Sequence, residues 1–95
     1  MLKKTKFELR WRKKAGTDLE LIIGYISRDN LDAAEALLSE IIEKTGKLTV
    51  NPSLYKKGRV AGTREMVVRK NYIVVYAIVN DVVWIVRILH AARDF

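Results

Sequence analysis

The sequence predicts an α+β domain in the order β-α-α-β-β-β, with a helix hairpin packed on one face of a small antiparallel sheet. Three observations predict it. Near the N-terminus, Phe7, Leu9 and Trp11 alternate with Lys6, Glu8, Arg10 and Arg12. Two stretches of helical periodicity follow, over residues 19–26 and 34–48. Three apolar, β-branched runs then close the chain at 63–68, 72–79 and 82–89, separated by only a few residues.

The elements follow in order. Period two with aromatics argues a first strand over residues 4–11. Leu19, Ile22, Ile23 and Ile26 fall at i, i+3, i+4 and i+7, one face of a helix. Thr17 with Glu20 three residues on can form a capping box. The helix can equally begin near Lys13 and run through Gly16, at about 1 kcal/mol relative to alanine; the residues leave both starts open. Asp29-Asn30 breaks this helix and can cap the next. Ala34, Leu37, Leu38, Ile41, Ile42, Thr45 and Leu48 repeat helically to about Val50, and Pro52 prevents continuation. A short connection between two amphipathic helices predicts an antiparallel hairpin.

Residues 51–62 read as a basic loop, with Tyr55, Lys56, Lys57 and Arg59, and with Gly58 and Gly62 as turn residues. Short turns then force three antiparallel neighbours, a meander. Asn80-Asp81 suits a two-residue turn, because Asn and Asp tolerate positive φ. The middle strand is apolar on both faces, so it is expected to be central and covered on both sides. The helix hairpin covers one; the C-terminal tail or a partner chain is expected over the other.

Ninety-five residues suit one domain, residues 1–95, and an apolar content of 49% supports a core. There is no cysteine and one histidine, His90. That excludes disulfides, thiolate metal sites and multi-histidine metal sites. No zinc spacing or glycine-rich phosphate loop is present, so neither a metal nor a cofactor is expected. Cysteine-free composition suits a reducing cytoplasm. No run of about 18 apolar residues suggests a membrane span, and the basic start lacks the apolar stretch of a signal peptide. The net charge of +7 and pI of 9.9 direct the chain toward nucleic acid, ribosomes, acidic proteins or anionic lipid.

Candidate functional residues are mainly cations. With strict alternation, Val83, Ile85, Arg87 and Leu89 share one face of the last strand, and Arg87 lies within an apolar row. Arg64 shares the face of Met66 and Val68. His90 and Arg93 follow the last strand, and Lys56, Lys57 and Arg59 precede the second. Gathered at one end of the sheet, these would form a cationic cleft whose guanidinium forks bind phosphate and stabilise a phosphorane. The competing reading is structural, with Arg64 or Arg87 paired to Glu65, Asp94 or Glu8, or bound to the carboxylates of a partner chain. His90 is the only natural acid–base group near neutral pH, although a lone histidine after a strand more often serves as a hydrogen-bonding spacer. Tyr72, Tyr76 and Trp84 read as packing.

Several motifs resemble those of the RelE/ParE superfamily of bacterial toxins. They are Asp18-Leu19 with Ile22-Ile23 and Tyr25-Ile26; Pro52 after the second helix; Gly62-Thr63-Arg64-Glu65; Asn71-Tyr72-Ile73-Val74-Val75-Tyr76; and Arg87-Ile88-Leu89-His90-Ala91-Ala92-Arg93. Their order and spacing extend over nearly the whole chain. The resemblance implies the toxin of a type II toxin–antitoxin system, with the same β-α-α-β-β-β fold. It implies an acidic cognate antitoxin with a segment that folds on binding, and a complex that binds operator DNA through the antitoxin. The superfamily has two activities. The ParE-like branch poisons DNA gyrase, and the Asn-Tyr strand and Leu-His ending are more similar to this branch. The RelE-like branch cleaves mRNA on the ribosome without a metal; its catalytic positions would match Arg64, Arg87 and His90, with Lys56 or Lys57 beside them. The C-terminal tyrosine of several such nucleases has no counterpart, since Phe95 ends the chain.

Overall fold

The computed structural model describes residues 6–94. The element order is β1 (Glu8–Trp11), α1 (Lys13–Ser27), α2 (Leu31–Lys47), a 3₁₀ turn (Pro52–Leu54), β2 (Arg64–Val68), β3 (Tyr72–Val79) and β4 (Val82–His90). The predicted α+β order is therefore present. Residues 4 and 5, where the first strand was expected to begin, lie outside the described residues; within them the strand starts at Glu8.

The sheet runs β1-β4-β3-β2. β2, β3 and β4 form the expected antiparallel meander, whereas β1 pairs parallel with β4, Leu9 beside Val83 and Trp11 beside Ile85. The sheet is thus mixed rather than wholly antiparallel. The helix hairpin carries the chain from β1 at one edge of the sheet to β2 at the other, and the meander then brings β4 back beside β1.

α1 begins at Lys13 and runs through Gly16. The capping box does not form: Thr17 Oγ1 donates to the Lys13 carbonyl at 3.2 Å, as an interior helical residue does. Strand pairing decides this start, because the Arg12 N–H donates to the Ile85 carbonyl at 2.9 Å and the chain turns into helix immediately afterwards. Asn30 caps α2, its Oδ1 accepting from the Ala33 N–H at 3.0 Å. α2 ends at Lys47, slightly short of Val50. Among the described residues no helix is long and apolar enough to cross a membrane.

The core lies between the hairpin and one sheet face. Ala15, Ile22, Leu37, Ile41 and Leu48 meet Met66, Val68, Val74, Tyr76, Val83, Ile85 and Ile88. Alternation on β4 breaks at a bulge opposite Val75 and Tyr76. Val83 and Ile85 face the core, but after the bulge Ile88 takes the buried place, 2% exposed, and Leu89 does not. The expected row of Val83, Ile85, Arg87 and Leu89 is therefore interrupted. One extra residue shifts every later side chain to the opposite face.

Among the described residues no helix covers the other sheet face, and the tail stays beside Asn71, the Ala91 N–H donating to its carbonyl at 2.7 Å. On that face Ile73 and Val75 are shielded by their neighbours, whereas Val67 and Val79 stay half exposed.

Candidate functional site

The predicted cationic residues are distributed over two places. The first is the open edge of β4 beyond its pairing with β1. Past Arg12, β1 no longer borders β4, and the Ile88 N–H turns to Asp18 of α1. One Asp18 oxygen accepts from Ile88 at 3.0 Å and from Arg87 Nε at 2.7 Å, and the other accepts from Arg87 Nη2 at 3.2 Å. Asp18 is nearly buried. Its hydrogen bonds and charge hold the Arg87 guanidinium protonated above its ordinary range, against the opposing effect of burial. A single carboxylate thus supplies the strand partner that β1 does not reach and neutralises the strand cation.

Asp18 was absent from the partners the sequence suggested for Arg87. The available signal was an acid four residues before Ile22, at the margin of an apolar helical stripe. Beside this clamp lies a groove of about 650 Å³, lined by Lys14, Leu21, Tyr25, Arg28, Arg87 and Arg93 among others.

The second place is the loop before β2. Arg64 Nη1 donates to the Tyr55 carbonyl at 2.6 Å and the Ser53 carbonyl at 3.3 Å. Tyr76, fully buried, donates its hydroxyl to the Pro52 carbonyl at 2.6 Å. Burial pushes its phenol pKa up, so it remains a donor. Glu65 accepts from the Arg59 N–H and Nε, both at 3.1 Å, and these bonds hold its carboxyl below the ordinary glutamate range.

A Cβ at Gly58 would collide with the Thr63 hydroxyl and displace it, and Gly62 has φ +83°. Lys57 and Arg64 line a groove of about 530 Å³ with Val60 and Ile78. Lys56 lends its carbonyl to the Glu65 N–H at 3.1 Å.

His90 occupies a third setting. Its N–H donates to Asp94 Oδ2 at 2.7 Å, its Nδ1 accepts from the Ala92 N–H at 3.3 Å, and its ring meets Tyr72 edge-on at 5.3 Å. Arg87 and Arg93 thus share one groove and Lys57 and Arg64 another. Arg64, Arg87 and His90 line neither groove together.

The family described as "ParE toxin of type II toxin-antitoxin system, parDE" matches residues 9–95. A Sinorhizobium fredii protein named "Putative toxin Y4kP" is 34% identical over 88 residues, covering 92% of this chain and 91% of that protein. A structure of the chromosomal ParDE system from P. aeruginosa superposes with a TM-score of 0.81 at 19% identity, covering 92% of this chain and 98% of that one. The RelBE2 complex from Mycobacterium tuberculosis superposes with a TM-score of 0.66 at 24% identity, covering 93% and 94%. These two structures carry the fold alone.

Proposed function

The chain belongs to the ParE toxin family of type II toxin–antitoxin systems, and from that premise we propose that it arrests growth by poisoning DNA gyrase. Its partner is a cognate antitoxin, and a basic domain of net charge +7 suits an acidic one. On this reading the pair binds operator DNA through the antitoxin, and the toxin acts in the cytoplasm, where its target lies.

The observation that supports gyrase over RNA is the dispersal of the cations. Cleavage by an attacking ribose hydroxyl needs charge stabilisation and acid–base groups converging on one phosphate. Here Arg87 is tied to Asp18, Arg64 to loop carbonyls, and the His90 Nδ1 to the Ala92 N–H. The second reading is a ribosome-dependent mRNA endoribonuclease using Arg64, Arg87 and His90. It draws on the shared groove of Lys57 and Arg64.

Inducing the protein alone in bacteria and mapping both RNA ends and gyrase-linked DNA breaks separates the two. Trapped gyrase cleavage complexes without RNA cuts are expected. Codon-linked RNA cuts with intact chromosomes would replace the gyrase reading with the nuclease.

A further inference from the structure

We infer that the helix-free face of the sheet, centred on Trp84 between Arg10 and Arg12, binds single-stranded nucleic acid. The inference is independent of the choice between gyrase and the ribosome.

The charge of the chain is strongly polarised. Residues 15–54, which form most of the helical layer, carry seven acids and three bases, whereas the remaining residues carry fifteen bases and four acids. The excess positive charge belongs to the sheet, its loops, the first turn of α1 and the N-terminal segment. Cations are densest over residues 6–14, where Lys6, Arg10, Arg12, Lys13 and Lys14 face a single acid, Glu8.

Strand alternation sorts them. Leu9 and Trp11 pack against the core, so Glu8, Arg10 and Arg12 point to the helix-free face. Arg10 lies beside Trp84 in the parallel register. The Arg12 guanidinium sits 4.6 Å from the Trp84 ring centre and that of Arg10 sits 5.8 Å away.

Arg10 also meets Glu8, and both are more than half exposed. Arg12 has no carboxylate partner among the described residues. Further along the same face, Arg59 is engaged by Glu65, and Val79 and Val82 border Trp84 without adding charge.

Two chemistries therefore meet at one place. Exposed guanidiniums attract phosphates, and an indole ring offers a stacking surface that accepts any base. An exposed guanidinium–indole contact is weaker than base stacking. An incoming base can thus take the ring and release Arg10 or Arg12 to the adjoining phosphates. An unpaired strand is favoured over a duplex, whose base faces are already stacked. It is also favoured over an acidic peptide, which supplies anions but nothing for the indole.

The test is fluorescence anisotropy with a labelled oligothymidylate of about 15 nucleotides. Wild-type protein is expected to bind, and to lose about tenfold in affinity between about 50 and about 200 mM salt, as two to three phosphate contacts require. Arg10→Gln/Arg12→Gln and Trp84→Leu should each weaken binding about tenfold with circular dichroism unchanged. Lys44→Ala/Lys47→Ala on α2 should leave binding intact.

If a variant does not fold, Trp11→Phe isolates Trp84 as the reporter, and the oligonucleotide should quench its fluorescence. No binding, no response of Trp84, or unchanged affinity in the folded double variant would overturn the inference. So would equal competition by duplex DNA or by polyglutamate of matched length.

Discussion

Arg87 and Arg64 are both cations in apolar strands, yet they are accommodated by different means. Arg87 is matched by a carboxylate that also accepts the Ile88 N–H, binding α1 to the free edge of β4. Arg64 meets backbone carbonyls of the loop before β2 and fastens that loop across the sheet, with Tyr76 beneath it. A charge pair joining helix to sheet is part of the global fold. A cation–carbonyl contact holds a local segment that can open while the core stays intact. An arginine in an apolar strand therefore need not mark a reaction centre: one closes the helix–sheet seam and the other positions a loop.

Substitutions can test that contrast, beginning with the largest effect. Asp18→Ala removes both guanidinium bonds and leaves the Ile88 N–H unpaired, and should cost about 3 kcal/mol in urea unfolding. Arg87→Met should cost only about 1 kcal/mol, because the Arg87 side chain is 39% exposed and Asp18 keeps its backbone bond. Equal costs would mean that the Ile88 contact contributes little.

Tyr76→Phe should rank between those two at about 2 kcal/mol, since the Pro52 carbonyl then loses its buried donor. Arg64→Met should cost about 1 kcal/mol globally. It should also accelerate proteolytic cleavage within residues 53–62 well before global unfolding; unchanged cleavage would remove the loop-holding role.

The smallest effect concerns pH. Bonds from the Arg59 backbone and side chain lower the Glu65 pKa in the folded state. Its contribution is therefore fully present above the ordinary glutamate value, about 4.3, and is lost as pH falls through the lowered folded value. Glu65→Gln should flatten the acid limb of a stability–pH curve. A limb identical to wild type would assign the acid sensitivity to other carboxylates.

Much of this was legible in the residues. The helical stripes of Leu19, Ile22 and Ile26 and of Ala34, Leu37 and Ile41 face the core as their spacing predicts, whereas Ile42, read into the second stripe, points outward and is 52% exposed. Asn30 caps α2, and the two-residue turn at Asn80-Asp81 places Asn80 at φ 56°. Trp84 does pack, but beneath two arginines on the helix-free face rather than inside the core. On one side its strand neighbour is Ala77 of β3, but the two arginines come from β1 and the residue after it, more than seventy residues earlier, and local periodicity contains no information about them.

The candidate site was less legible than the fold for the same reason. Its residue types could be named from sequence, but their partners are long-range. Asp18 meets Arg87 across 69 residues and Tyr76 meets Pro52 across 24. The element order, most of the apolar faces, the cap and the tight turn can be read from local residue patterns, because side-chain period and backbone preference act over a few neighbouring residues. Tertiary structure decided the parallel seat of β1, the bulge that brings Ile88 inward, and the separation of the cations. Each depends on which distant groups satisfy backbone and charge once the layers pack, a condition that exists only in the folded chain.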